Sequence, residues 1–112
     1  MRKTYVVSAK RSAIGSFLGS LTTVKPVDLG ATVVKALLED GKVAPEQVDE
    51  LLCGNVLSAG LGQNIGRQVA LAAGIPESVC SHSVNMVCGS GLRTVMEGVM
   101  SIQTGFNDIV VA

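Results

Sequence analysis

The sequence lacks tryptophan and has few other aromatic residues, no net charge and no long apolar run. Its 112 residues include one Tyr and two Phe, and nine Lys and Arg balance nine Asp and Glu. Zero net charge argues against a nucleic-acid surface, although five basic residues precede the first acidic residue, Asp28. No stretch approaches the roughly 20 apolar residues that span a bilayer, so we predict neither a nucleic-acid nor a membrane partner.

The sequence also has no recognisable secretion signal. After Met-Arg-Lys, the apolar stretch at residues 5–9 is interrupted by Lys10 and Arg11, and is too short for the core of a signal peptide. The three cysteines are an odd number, which favours free thiols in a reducing compartment over a disulfide framework. We therefore predict a cytoplasmic protein. With 47% hydrophobic and 16% charged residues, the chain has enough apolar material for one compact domain or part of one.

Strand-length apolar runs alternate with helical patterns along the chain. The predicted strands lie at residues 4–9, 51–57, 79–84 and 109–112. Three predicted helices separate them: one begins at Pro26 and ends at Gly41, one is capped by Asn64 and ends at Gly74, and one ends at Gly105. This order predicts an α/β fold with a mostly parallel sheet and helices on both faces. Because the last strand reaches the final residue, we expect the sheet to be incomplete and the chain to be part of a longer protein.

The sharpest chemical candidate is Cys88, in the segment NMVCGSGL at residues 85–92. It lies where a predicted strand leads into a predicted helix. A thiol at a helix start is near unpaired N–H groups and the positive end of the helix dipole, which favour the thiolate. Gly89 and Gly91 leave room for a substrate, and backbone N–H groups there could form an oxyanion hole. The alternative is a buried, inert cysteine in a tight turn.

The other cysteines and the single histidine are weaker candidates. Cys53 lies within an apolar strand, where a packed core thiol is the ordinary interpretation. Cys80 and His82 share one face of a strand, so a metal or redox site with Cys53 or Cys88 is a further hypothesis, although the spacing is not a zinc signature. His82 as a base for Cys88 is disfavoured, because six extended residues separate them by roughly 20 Å. We interpret His82 as a structural or interface residue.

The glycine-rich segment at residues 60–67, GLGQNIGR, invites comparison with phosphate-binding loops. It matches neither GxGxxG nor GxxxxGK. The segment at residues 89–91, GSG, likewise fails the GxSxG pattern, so Ser90 is interpreted as a helix-start residue. Arg67 either contacts a partner chain or an anionic ligand, or is solvated.

Four segments together resemble the amino-terminal part of biosynthetic-type thiolases, which are acetyl-CoA acetyltransferases. They are VVSAKRSAIGSFLGSL at 6–21, CGNVLSAGLGQNIGRQVALAAGIP at 53–76, SVNMVCGSGLRTV at 83–95 and GFNDIVVA at 105–112. The resemblance covers essentially the whole chain, and the CGSG segment is its most specific part. It implies that residues 1–112 are a partial amino-terminal thiolase domain from which the remainder of the enzyme is absent.

The resemblance also implies an activity. Cys88 would be acylated by acetyl-CoA, and a second acetyl-CoA would attack the thioester in a Claisen condensation that yields acetoacetyl-CoA; the reverse is thiolysis of a 3-ketoacyl-CoA. No metal or redox cofactor is implied. Asn64 and Arg67 would lie near the dimer interface of a homo-oligomer.

The family's HPxG histidine, its NEAFA asparagine and its CxGGG cysteine do not occur in these 112 residues. We therefore expect no turnover from the chain alone. The alternative hypothesis is a non-catalytic, truncated thiolase-like domain that dimerises or pairs with a separately encoded remainder.

Overall fold

The structure, a computed structural model, describes all 112 residues. The regular elements are α1 (Pro26–Gly41), a 3₁₀ turn (Pro45–Gln47), β1 (Glu50–Gly54), α2 (Ile65–Ala72), β2 (Cys80–Val84), α3 (Ser90–Gln103) and β3 (Val110–Val111). The three predicted helices are thus confirmed, and each begins close to the residue that its start signal indicated. None of the helices is both long enough and apolar enough to cross a membrane.

The three strands form one parallel sheet in the order β2-β1-β3. In the centre, Glu50 of β1 is in register with Cys80 of β2 on one side and with Val110 of β3 on the other. Parallel neighbours need crossover connections, which α2 and α3 provide. The predicted α/β class with a parallel sheet is therefore confirmed.

Alternate residues of β1 face opposite helical layers. Leu51 belongs to the main apolar cluster, which it shares with α1 and α2. Gly54 faces the other way, where a Cβ atom built on it would lie 2.7 Å from the backbone nitrogen of Gly91 in α3. Helices therefore cover both faces of the sheet, as predicted. The cluster comprises Ala31, Val34, Leu38, Val48, Leu51, Ile65, Val69, Ala70, Ala73, Ile75, Val79 and Val111.

The predicted strand at residues 4–9 is wrong. Residues 4–9 make no backbone hydrogen bond, and the side chains of Tyr5, Val6 and Val7 are exposed. The segment is attached instead through Ser8 and Lys10, which bind the carboxylate of Asp40 at 2.7 and 2.9 Å. A strand exists only where a neighbour supplies the hydrogen bonds, and no strand of the sheet pairs with residues 4–9.

The remaining differences concern element ends. β1 ends at Gly54 rather than at residue 57, and β3 has two residues rather than four. Gly41 is the last residue of α1, while the left-handed conformation that ends the helix falls on Lys42, with φ of 53°. Local signals fix element ends less sharply than element type.

Candidate functional site

Two connections meet at the carboxyl edge of the sheet. The longer one, residues 55–64, follows β1, and the shorter one, residues 85–89, follows β2. Because β1 and β2 are parallel and adjacent, both connections emerge on the same side, where the Asn55 N–H donates to the carbonyl of Val84 at 3.0 Å. A cleft of about 290 Å³ lies between them. It is lined by Asn55, Ser58, Leu61, Gly62, Asn64, Ile65, Ser83, Val84 and Asn85.

Cys88 occupies the short connection, in a tight turn directly before α3. The Gly89 N–H closes the turn on the carbonyl of Met86 at 3.0 Å, and the Ser90 N–H donates to the carbonyl of Val87 at 3.2 Å. The Cys88 thiol is free and exposed. The structure therefore contradicts the burial that the alternative of a buried, inert cysteine expected.

The start of α3 has unpaired backbone donors beside this thiol. No side chain caps the helix at Gly89. The N–H groups of Cys88, Gly91 and Leu92 donate no hydrogen bond within the chain. Unpaired N–H groups at a helix start stabilise negative charge placed next to them. The turn thus combines a reachable nucleophile with donors suited to an oxyanion.

The side chains of Asn85 and Ser90 form hydrogen bonds to the turn from both sides. The Asn85 side chain accepts a hydrogen bond from the Val87 N–H at 3.0 Å and donates to the carbonyl of Val56 in the neighbouring connection at 3.3 Å. The Ser90 hydroxyl accepts from the Met86 N–H at 2.9 Å and donates to the carbonyl of Val87 at 2.6 Å. The sequence pattern indicates Ser90 only as a helix-start residue, and none of these bonds follows from it.

Asn64 and Arg67 use their polar groups within the chain. Asn64 caps α2, with its side-chain oxygen accepting from the Arg67 N–H at 3.2 Å and its amide donating to the carbonyl of Ser81 at 2.9 Å. The Arg67 guanidinium donates to the carbonyls of Val79 at 2.8 Å and Glu77 at 2.7 Å. The predicted cap is confirmed. Both side chains join α2 to the segment containing β2, and their predicted place at a dimer interface stays a prediction.

Neither Cys53 nor Cys80 shares a site with Cys88. Cys53 lies on the α2 side of β1, where its Cβ would be 3.2 Å from a Cβ built on Gly66, and burial raises the pKa of its half-buried thiol. Cys80 is exposed at the start of β2. None of the three cysteines belongs to a group of three or more His, Cys, Asp or Glu side chains that could hold a metal ion.

His82 lies in a network of charged groups between β1 and α3. Its Nδ1 is 3.4 Å from Oε1 of Glu50, and its Nε2 is 3.5 Å from Oε2 of Glu97. The Arg93 guanidinium donates to Glu97 at 2.7 Å, and this hydrogen bond is the main reason that the pKa of Glu97 lies below its ordinary value. Asn107 in turn donates to Glu50 at 2.7 Å. Both ring nitrogens thus face carboxylates, in agreement with a structural histidine.

Comparison with known proteins identifies the family. The family model described as "Thiolase, N-terminal domain" matches residues 4–112, almost the entire chain. The chain belongs to the thiolase family. It is 51% identical to the acetyl-CoA acetyltransferase of Escherichia coli over 112 residues, which are 100% of this chain and 28% of that relative. It is 52% identical to the cytosolic acetyl-CoA acetyltransferase of Rattus norvegicus over 107 residues, 96% of this chain and 27% of that relative.

A solved thiolase structure has the same fold. The crystal structure of the Acat5 thiolase from Ascaris suum in complex with coenzyme A superposes with a TM-score of 0.88 at 38% identity, covering 92% of this chain and 27% of that one. The present thiolase chain therefore spans little more than a quarter of the length of the curated relatives that it matches. The predicted thiolase-type fold is confirmed, and the three-strand sheet is an incomplete version of the domain.

Proposed function

We propose that this chain supplies the nucleophile of an acetyl-CoA acetyltransferase, with Cys88 as the acylated residue. The observation that carries the proposal is the exposed Cys88 thiol in a tight turn beside unpaired N–H groups at the start of α3. The family resemblance of the CGSG segment and the names of the relatives support acetyl-CoA, or a 3-ketoacyl-CoA in the reverse direction, as substrate.

Both proposed steps make and break bonds at the sulfur of Cys88. The Cys88 thiolate attacks the thioester carbonyl of acetyl-CoA, the negative charge forms on the carbonyl oxygen, and the Cys88 N–H can donate to it. The C–S bond to coenzyme A then breaks, so CoA leaves as a thiolate and acetyl-Cys88 remains. Attack by the enolate of a second acetyl-CoA on acetyl-Cys88 releases acetoacetyl-CoA and restores the thiolate. Sulfur suits both steps, since it is a strong nucleophile and a good leaving group.

The chain does not offer a proton-transfer partner for Cys88. His82 is its only histidine, and both ring nitrogens face carboxylates on the α3 side of the sheet. We therefore propose that the base comes from the part of the enzyme that residues 1–112 do not include, and that the chain alone does not turn over. The whole enzyme would act in the cytoplasm as a homo-oligomer, without a metal or redox cofactor, with Asn64 and Arg67 near the subunit interface.

A chimera tests this proposal. Residues 1–112 would replace the aligned part of the Escherichia coli relative, and thiolysis of acetoacetyl-CoA would be measured. We expect activity in the chimera, and a loss of about 10³-fold or more after Cys88→Ser. The control Cys80→Ser should leave the rate unchanged, because Cys80 is outside the turn. An active Cys88→Ser chimera would contradict the proposal.

A second proposal, that the chain acts by pairing with further thiolase polypeptide, has its own supporting observation. An open apolar groove of about 280 Å³ lies between residues 4–10 and residues 109–112, with α1 and α3 as its walls. The polypeptide corresponding to the remaining length of the Escherichia coli relative should then co-elute with this chain in size-exclusion chromatography. Separate elution at micromolar concentrations would contradict this second proposal.

A further inference from the structure

The residue before Cys88 has an unusual backbone conformation. Val87 has φ of +50°, in the left-handed region that β-branched residues rarely adopt. It is the second residue of the turn closed by the Met86 carbonyl and the Gly89 N–H, and Cys88 has no positive φ. Turns with a positive φ at the second residue alone usually place glycine there.

Core packing does not explain the valine. Val87 is 65% exposed, so the burial of its methyl groups does not offset the unfavourable conformation. The conformation must therefore be held by neighbouring groups. Residues in sparsely populated backbone regions persist where the surroundings over-determine them, and they cluster at active sites.

The Ser90 hydroxyl is the group that faces this turn from the buried side. Ser90 is 4% exposed, and its hydroxyl binds both the Met86 N–H and the Val87 carbonyl. Neither bond is a helix cap, because both run backwards out of α3 into the turn. The side chain of Asn85 adds a third bond, to the Val87 N–H.

One of these bonds acts on the peptide group that carries the Cys88 N–H. The Val87 carbonyl and the Cys88 N–H belong to the same planar unit and point in opposite directions. Ser90 holds the carbonyl end with its hydroxyl at 2.6 Å and its backbone N–H at 3.2 Å. The N–H end is thereby fixed as well, and it makes no bond of its own within the chain.

We propose that Ser90 is a positioning residue for Cys88: its hydroxyl holds Val87 in the left-handed conformation and orients the Val87–Cys88 peptide so that the Cys88 N–H is directed at the oxygen of a bound acyl group. The inference rests on the proposed acylation of Cys88. It adds that Ser90 orients the oxyanion donor, the Cys88 N–H, but does not determine the reactivity of the thiol. A mutation can therefore impair the donor and leave the thiol reactive.

Two small reagents distinguish the effect of the oxyanion donor from the reactivity of the thiol. Acetylation by p-nitrophenyl acetate proceeds by attack of the Cys88 thiolate on the ester carbonyl, negative charge on the carbonyl oxygen, and departure of p-nitrophenolate. Alkylation by iodoacetamide displaces iodide at an sp³ carbon and develops no oxyanion. Both rates would be measured at Cys88 by peptide mass mapping of this chain, with Cys80 as the exposed internal reference.

Ser90→Ala should lower acetylation of Cys88 about tenfold and leave its alkylation within about twofold, since only acetylation needs the oriented donor. The matched control is Ser101→Ala in the same helix, because the Ser101 hydroxyl is buried without a hydrogen-bond partner. That control should change neither rate. Equal losses of both rates in Ser90→Ala, or no loss of either, would overturn the proposal.

A second variant tests the link through Val87. Glycine adopts positive φ without strain, so Val87→Gly in the Ser90→Ala background should recover at least half of the lost acetylation rate. If Ser90→Ala unfolds, detected by loss of helical circular dichroism, the double variant should fold again. Unfolding of both would assign Ser90 to the fold and overturn the proposal. Failure of acetyl-CoA to modify Cys88, with the p-nitrophenyl acetate results intact, would count against the proposed function alone.

Discussion

The two strand–connection–helix units of the sheet differ in how their connections are completed. After β1, a ten-residue connection leads to α2, whose first turn is capped by the Asn64 side chain and whose Arg67 is bound by two backbone carbonyls. After β2, a five-residue turn leads to α3, whose first turn has no side-chain cap.

The two helices also differ in how fully their apolar side chains are buried. Four of the eight residues of α2 are buried and only Leu71 among its large apolar side chains is exposed, whereas α3 has four exposed large apolar side chains. Those of α3 that are exposed are Leu92, Val95, Met96 and Met100. The first unit uses its polar groups for stability. The second leaves donors and a thiol unused beside apolar side chains that this chain does not cover, as expected if the turn is the reactive site that we propose.

The sharpest contrast between the units is the glycine at the second position of each helix. A Cβ on Gly66 would lie 2.5 Å from the carbonyl oxygen of His82, whereas a Cβ on Gly91 meets nothing within 4 Å. We expect Gly66→Ala to lower the free energy of unfolding by about 2–3 kcal/mol, because backbone must shift. Gly91→Ala should be neutral or stabilising by up to about 1 kcal/mol. Urea denaturation followed by circular dichroism measures both, and similar values would remove the contrast.

Loss of the α2 cap should have the next largest effect. Asn64 has φ of +43° and binds the Arg67 N–H, so Asn64→Ala loses the cap and places alanine in a left-handed conformation. We expect a loss of about 1–2 kcal/mol in the free energy of unfolding. Asn64→Gly, which tolerates that conformation, should lose less. An equal loss in both variants, in the same denaturation experiment, would show that backbone conformation contributes nothing here.

The cysteines of the two units should differ in thiol reactivity, which can be measured without changing the sequence. Burial raises the pKa of Cys53 in the first unit, so its thiolate is scarce at neutral pH, while Cys88 in the second is exposed. Iodoacetamide should modify Cys88 about tenfold faster than Cys53 at pH 7.5. Comparable rates would place the two cysteines in equivalent environments.

Burial of Cys53 also predicts how the stability of the fold changes at alkaline pH. A thiol whose pKa is raised on folding contributes stability below its unfolded pKa, and this contribution is lost as the pH rises through the folded pKa. The free energy of unfolding should therefore fall above about pH 9, and fall less in Cys53→Ala. Parallel pH dependence in the two proteins, measured by urea denaturation, would contradict the assignment.

The smallest effect is expected in the charged network that joins α3 to the sheet. The Arg93 hydrogen bond lowers the pKa of Glu97, so the stabilisation is present above about pH 4.5 and is lost as the pH falls through the folded pKa. Glu97→Gln should cost about 0.5 kcal/mol at pH 7 and less at pH 3. Glu46→Gln, at an exposed residue outside any ion pair, should show no such pH dependence.

Sequence patterns predicted most of the first unit and only the outline of the second. The helical periodicity and the Asn64 cap are local signals, so α2 and its start could be placed from the sequence. The turn at Cys88 could be placed as well, since it lies between a strand-length run and a helical pattern. The left-handed Val87 and the Ser90 bonds could not, because a valine carries no signal for positive φ.

Other misses have a common cause in long-range contacts. The run at residues 4–9 has strand-like composition, but composition does not supply a neighbouring strand. The carbonyls that bind Arg67, and the carboxylates on both sides of His82, belong to residues that only the folded chain brings together. Sequence pattern thus indicates where helices and strands can form, while long-range contacts decide whether a strand forms and which groups its residues bind.

The central claim is that Cys88 is the acyl acceptor, and one measurement tests it directly. The chain would be incubated with acetyl-CoA, and each of its three cysteines examined by peptide mass mapping. We predict a gain of about 42 Da on Cys88, as expected when an acetyl group replaces the thiol hydrogen, with little on Cys80, which is also exposed. Acetylation of Cys80 to the same extent, or no acetylation of Cys88, would contradict the account.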